Sequence, residues 1–179
     1  MSFSRDLITH AIYLAANGVN GDSPLPESAS GRSICERRAV SAAYYALFHH
    51  INGGAVDLIA PNVPVQTNHR IQRWFEHAEI KKVCGRFLPA KLDQPLLDLI
   101  GDTASPDLRN VAQSFITLQE ARHNADYNLG YILTSEETEQ FILLALVAMD
   151  SWDRIANSAE ANIFILSLLM WKNWEKERT

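Results

Sequence analysis

Cysteine is nearly absent: Cys35 and Cys84 are the two in 179 residues. They share no short spacing and no cluster of histidines, which excludes a disulfide framework or a structural zinc site as the source of stability. Two buried free thiols are expected instead. A glycine-rich phosphate cradle and a serine-nucleophile motif are missing too, so neither mononucleotide-loop chemistry nor serine hydrolase chemistry is indicated. Long apolar runs are also lacking. The longest, IFILSLLMW at residues 163–171, is broken by Ser167. It would rise roughly 13 Å as a helix, against the ~30 Å of hydrocarbon in a bilayer. It cannot span a membrane, and its burial against the fold or a second subunit, with Trp171 and Trp174, is the expectation. Nor is there a basic excess. The net charge of −5 disfavours nonspecific binding to nucleic acid or anionic lipid by the whole surface, so any such contact needs a local basic face.

What is present suffices for one folded domain over residues 1–179, with hydrophobic residues at 47% and charged residues at 21%, near the globular average. The opening stretch MSFSRDLITHAIYLAANG has helical spacing and lacks the continuous apolar core of a signal peptide, so a cytoplasmic protein is expected. No alternating run is long enough to propose a sheet, and start signals divide the chain into five or six helices. The expected fold is all-α, an antiparallel up-and-down helical bundle.

The first helix covers about residues 4–17, with Leu7, Ala11, Leu14 and Ala15 on one side, and the Gly/Ser/Pro-rich stretch 19–31 reads as a mobile loop. Ser33 and Glu36 form a capping box that opens a second helix to about residue 59. Ala39, Ala42, Ala43 and Ala46 lie opposite Val40, Tyr44, Leu47, Phe48 and Ile51, so both faces can pack and the helix is central. Gly53 and Gly54 suggest a bend or an early end, at about 1 kcal/mol each relative to alanine. A third helix over residues 68–84 buries Ile71, Trp74, Phe75 and Ala78, with Gly85 stopping it and a loop over 86–104. Ser105 and Pro106 start a fourth, Thr134 with Glu137 caps a fifth, and Ser158 caps the sixth. The stripe of the fifth is Phe141, Leu144, Ala145, Ala148, Trp152 and Ile155.

The fourth helix carries the puzzle. Its apolar stripe runs Leu108, Val111, Phe115, Leu118, then Arg122, Ala125 and Leu129. An arginine facing a core must be paired, because it cannot shed its proton. Asp126, four residues on, is within reach, and His123 and Tyr127 flank the pair. Three arrangements answer to this pattern: a structural ion pair, a polar cleft in which the planar guanidinium holds a phosphate, or an exposed helix end.

The segments RRAVSAAYYALFHH (residues 37–50) and LQEARHNADYN (residues 118–128) together resemble the HEPN superfamily of prokaryotic helical domains, in which an arginine-plus-YYAxFH helix is followed by R-x-x-x-D-Y. The resemblance covers most of the chain. It implies a helical bundle, a homodimer, and association with RNA or a nucleotide in stress, toxin-antitoxin or antiviral systems. Active members are metal-independent ribonucleases that pair an arginine with a histidine after four to six intervening residues. Here Tyr127 stands where the histidine is expected, and His123 is adjacent to Arg122 and points about 100° away. A tyrosine titrates near pH 10, far from the value suited to acid-base work. The resemblance therefore implies a binding site at Arg122, His123, Asp126 and Tyr127, with His49 a further candidate, rather than the usual catalysis. A ribonuclease toxin using His49 or His123, and a scaffold for a protein partner encoded nearby, are the alternatives.

Arg70, Arg73, His77 and Lys81 fall on one stripe of the third helix and form the candidate nucleic-acid face, with Glu76 and Glu79 beside it allowing an ordinary solvated flank. Arg70 and His77 also have the six-residue separation of a catalytic pair, away from the motif. His49 and His50 lack a second ligand pair, so no metal and no cofactor are expected; His50 is expected to be packed and hydrogen-bonded and His49 partly exposed.

Overall fold

The computed structural model describes residues 2–20 and 29–177, with side chains placed over 2–17 and 33–170. The fold is all-α, a helical bundle. Among the described residues there are eight helices and no strand: α1 Phe3–Asn20, α2 Ala29–Ile59, α3 Val65–Gln72, α4 His77–Phe87, α5 Gln94–Ile100, α6 Pro106–Tyr127, α7 Ser135–Ile155 and α8 Ala159–Glu177. None is long and apolar enough to cross a membrane. The predicted loop 19–31 loses both ends to α1 and α2, and residues 21–28 lie outside the described ones, as do the side chains of Trp171 and Trp174.

Contacts gather the chain into two compact units, Met1–His49 with Thr117–Ala148 and His50–Ile116 with Met149–Thr179. In the first unit α2 is buried on both sides, as the wheel predicts: Ala39, Ala42, Ala43 and Ala46 are buried, and so are Val40, Tyr44, Leu47 and Phe48. Val40 packs with Ala121, Ala125 and Leu133, and Tyr131 and Phe141 close over them. α1 buries Ser4, Ile8 and Ala11, a face turned slightly from the predicted one, with Leu7, Leu14 and Ala15 half-buried.

The cap at Thr134 forms as predicted: its Oγ1 accepts from the Glu137 amide at 3.1 Å, and Glu137 accepts from the Thr134 amide at 2.9 Å. Ser33 and Glu36 do not form one, because α2 begins four residues earlier, at Ala29. Ser33 Oγ accepts from Arg37 Nε, and the buried Glu36 accepts from Ser135 Oγ on α7 at 2.7 Å. Thr134→Ala is therefore expected to cost about 1 kcal/mol in urea denaturation, whereas Ser33→Ala is expected to cost less than half of that.

In the second unit Ser105 and Ser158 cap α6 and α8 as predicted, accepting from the amides of Leu108 and Ala161. Leu108, Val111 and Phe115 are fully buried, and α8 packs against α4 and α5, with Phe164 edge-on to Phe87 at 5.2 Å. α2 continues through Gly53 and Gly54 to Ile59, so it does not end early there.

The predicted third helix is two. Ile71 and Phe75 are buried, and so are Ile80, Val83, Cys84 and Phe87. From Ile71 to Ile80 a continuous helix would turn through about 900°, placing the two sets on opposite faces. The chain breaks instead. The amides of Arg73 and Trp74 bond three residues back to Arg70 and Ile71, α4 starts again at His77, and Trp74 is left exposed. Ala78 is exposed as well. α4 continues past Gly85 because Phe87 belongs to its buried stripe. Residues 86–104, predicted as a loop, contain α5: the Asp93 carboxylate caps it through the Leu96 amide and pairs with Arg86 at 2.7 Å, and Gly101 ends it with φ at 81°. Both cysteines are free and buried, and burial pushes the Cys84 thiol up.

Candidate functional site

The site is where two ridges of four-residue spacing meet in the first unit. Arg122 and Asp126 sit one turn apart near the end of α6. Their side chains are 23% and 15% exposed, and Arg122 Nε lies 2.7 Å from Asp126 Oδ2. Facing them on α2 are Ser41 and Tyr45, also one turn apart. Ser41 Oγ donates to Asp126 Oδ1 at 2.7 Å, and Arg122 Nη2 donates to Tyr45 Oη at 3.1 Å. The order of these pairs makes the two helices antiparallel here.

The ridge on α2 extends in both directions. One turn before Ser41, the Arg37 guanidinium reaches past the end of α6: Nη1 donates to the carbonyls of Ala125 at 2.8 Å and Asn128 at 3.1 Å, and Nη2 donates to that of Tyr131. These carbonyls include ones the helix end leaves without an intrahelical partner. One turn after Tyr45 comes His49, whose ring lies 6.3 Å from that of Tyr45 and is enclosed by Phe3 at 5.0 Å and Phe48 at 5.2 Å. Burial lowers the His49 pKa, which favours the neutral imidazole.

Arg122 is clamped on its faces as well as its edges. Its Cζ is 5.6 Å from the Tyr45 ring centroid and 5.3 Å from that of Tyr127, within cation–π range. Burial alone would push the guanidinium pKa down; Tyr45, Asp126 and Tyr127 outweigh it and hold the group above its ordinary value. On the outer side, Tyr127 is exposed, and the exposed His123 ring lies 5.1 Å from it. The result is a cation of fixed orientation bordered by two rings that face solvent.

Four of the predicted residues, Arg122, His123, Asp126 and Tyr127, thus gather at the end of α6, and the fifth, His49, joins them through Tyr45. Leu129, predicted to extend the buried stripe, is 93% exposed, because α6 ends at Tyr127. Asn128 turns the chain there, its Oδ1 accepting from the Gly130 amide. Ser41, Tyr45 and Arg37 were not among the predicted site residues; their spacing with His49 at 37, 41, 45 and 49 was the available signal.

The basic stripe loses its geometric basis. Arg70 lies in α3, Arg73 at its end, and His77 and Lys81 in α4, so no single helix presents the four, and Arg70 and His77 do not share a helix face. His50 is packed as expected, with Nε2 2.6 Å from Asp153 Oδ1. No group of three or more metal-ligating side chains occurs among the described residues. Comparison with protein-family models, with curated proteins and with solved structures yields no match.

Proposed function

We propose that the chain is a cytoplasmic, HEPN-like protein that binds RNA or a nucleotide at Arg122, acting as a homodimer in a bacterial stress, toxin-antitoxin or defence system without the usual ribonuclease activity. The observation that carries this reading is the clamped guanidinium beside the exposed rings of His123 and Tyr127. A cation already oriented loses little freedom when it meets phosphate oxygens. Exposed aromatic rings next to it offer the stacking surface that unpaired bases use. The lack of a histidine at the position of Tyr127 supports binding over cleavage.

The test is a gel with labelled single-stranded RNA incubated with wild type, Arg122→Ala and Tyr127→Ala, scored for retardation and for cutting. Wild type is expected to retard the RNA, with each variant weakened about tenfold, the scale of one lost stacking or charge contact. An RNA that wild type neither retards nor cuts overturns the reading, as does an Arg122→Ala variant that binds like wild type. A ribonuclease reading has one observation in its favour: the His49 ring lies 6.3 Å from that of Tyr45, the tyrosine that Arg122 bonds, and burial favours the neutral form that a general base requires. Cutting by wild type that His49→Gln abolishes would select it.

A further inference from the structure

Glu36 is the one charged residue that is buried among the described residues, at 4% exposure. Its carboxylate lies against the start of α7, where Ser135 Oγ donates to Oε1 at 2.7 Å. The positive end of that helix explains why a buried acid is tolerated there. It does not explain the space beside it. Glu36 lines a cavity of about 630 Å³ bounded by α2, the α6–α7 connection and the first residue of α7, in the size range of small-molecule sites.

The walls of this cavity divide by chemistry. Arg37 is its cation, but its donors are committed to three backbone carbonyls and Ser33, so it has little to offer an anion. Glu36 accepts one hydrogen bond among the described residues, and a carboxylate can accept about four. The rest of the lining is largely apolar: Leu133 is buried, Tyr131 half-buried, and Leu129 and Ile132 are 93% and 84% exposed. The connection that carries these residues is tied to α2 by Arg37 through the Asn128 and Tyr131 carbonyls.

We infer that this cavity is a second binding site, separate from Arg122, for an organic ammonium ion whose head is taken by Glu36 and whose apolar body is covered by Leu129, Ile132 and Tyr131. A free aliphatic amine and a lysine side chain of a protein share this chemistry. The site needs both halves: the acid selects charge, and the apolar wall makes the contact worth more than an exposed ion pair.

The experiment is isothermal titration of the intact chain with hexylamine, with hexan-1-ol and hexanoate as neutral and anionic counterparts, and with the capped peptide acetyl-Leu-Lys-Leu-amide. Hexylamine is expected to bind with a dissociation constant of about 1 mM, typical for so few atoms, and hexan-1-ol and hexanoate at least tenfold more weakly. Glu36→Gln keeps an acceptor for Ser135 but removes the charge, and is expected to lose the preference for the amine. Ile132→Lys, at an exposed position that leaves the core intact, places a tethered ammonium on the cavity lining and is expected to block hexylamine. Tighter binding of the peptide than of hexylamine assigns the site to protein lysines, and the reverse to free amines. The inference is overturned if neither amine binds, if hexan-1-ol binds as well as hexylamine, or if Ile132→Lys binds hexylamine like wild type.

Discussion

Arg37→Ala is expected to destabilise the protein by about 3 kcal/mol, lowering the melting temperature by roughly 6 to 12 °C. The side chain makes four hydrogen bonds, three of them charge-assisted bonds to backbone carbonyls at and beyond the end of α6. Removing it leaves those carbonyls without that donor. Urea denaturation followed by circular dichroism measures the effect. Arg37→Lys should recover less than half of the loss, because a single ammonium cannot satisfy carbonyls that a planar fork reaches from two nitrogens. Arg38→Ala is the control: Arg38 is exposed and should change stability by no more than about 0.5 kcal/mol. If the two alanine variants behave alike, Arg37 does not hold the end of α6. Amide exchange adds a local readout, since Asp126 and Tyr127 lie between the carbonyls that Arg37 binds. The segment from Ala125 to Tyr131 should lose protection in Arg37→Ala more than the rest of α6 does.

The local rules of helix starts were legible where they rest on a few neighbouring residues. Ser105, Thr134 with Glu137, and Ser158 all cap as their spacing predicts, because the donor and acceptor lie within three residues of each other. Ser33 and Glu36 have the same spacing and do not cap. The same pattern is compatible with a helix interior when tertiary partners, here Arg37 and Ser135, engage the two side chains instead. The break between α3 and α4 was also written in the chain, but only to a reader who followed both apolar sets. Ile71 with Phe75 and Ile80 with Val83 demand opposite faces of one helix.

At the candidate site, Arg122, Asp126 and Tyr127 were visible because all three belong to one turn or its neighbour. Their partners were not, since Tyr45 is 77 residues away from Arg122 and Ser41 is 85 away from Asp126. No periodicity argument spans such distances. What periodicity can show is that Arg37, Ser41, Tyr45 and His49 form one ridge between the two apolar faces of α2, and such a ridge has to meet something polar. Trp74 and Leu129 show the opposite limit. Both fit an apolar stripe on a wheel, and both lie exposed because the helix that would have buried them stops short.

Gly53 and Gly54 are expected to respond to alanine with opposite signs. Both lie inside α2, where alanine is favoured over glycine by about 1 kcal/mol. At Gly53 an added Cβ meets nothing within 4 Å, so Gly53→Ala should stabilise by up to about 1 kcal/mol. At Gly54 the same atom would lie 2.5 Å from Trp152 Nε1 and 3.3 Å from Cε2. Trp152 is 1% exposed and packs against Phe164 at 6.0 Å, so its ring has nowhere to go. Overpacking of this kind costs roughly 1 to 3 kcal/mol and outweighs the helix preference. Gly54→Ala should therefore destabilise by about 1 to 2 kcal/mol, and Gly54→Val by more. The cause is separable by a double-mutant cycle. Trp152→Phe removes the atoms that the new Cβ would strike, at the cost of a cavity, so Gly54→Ala in that background should lose its penalty and show a coupling of about 1 kcal/mol or more. Additive urea midpoints would mean that the close approach of α2 to Trp152 is not what keeps glycine there. A coupling of the expected sign would show that a position suggesting a helix end in the sequence is instead where a continuous helix admits a tryptophan ring against its backbone.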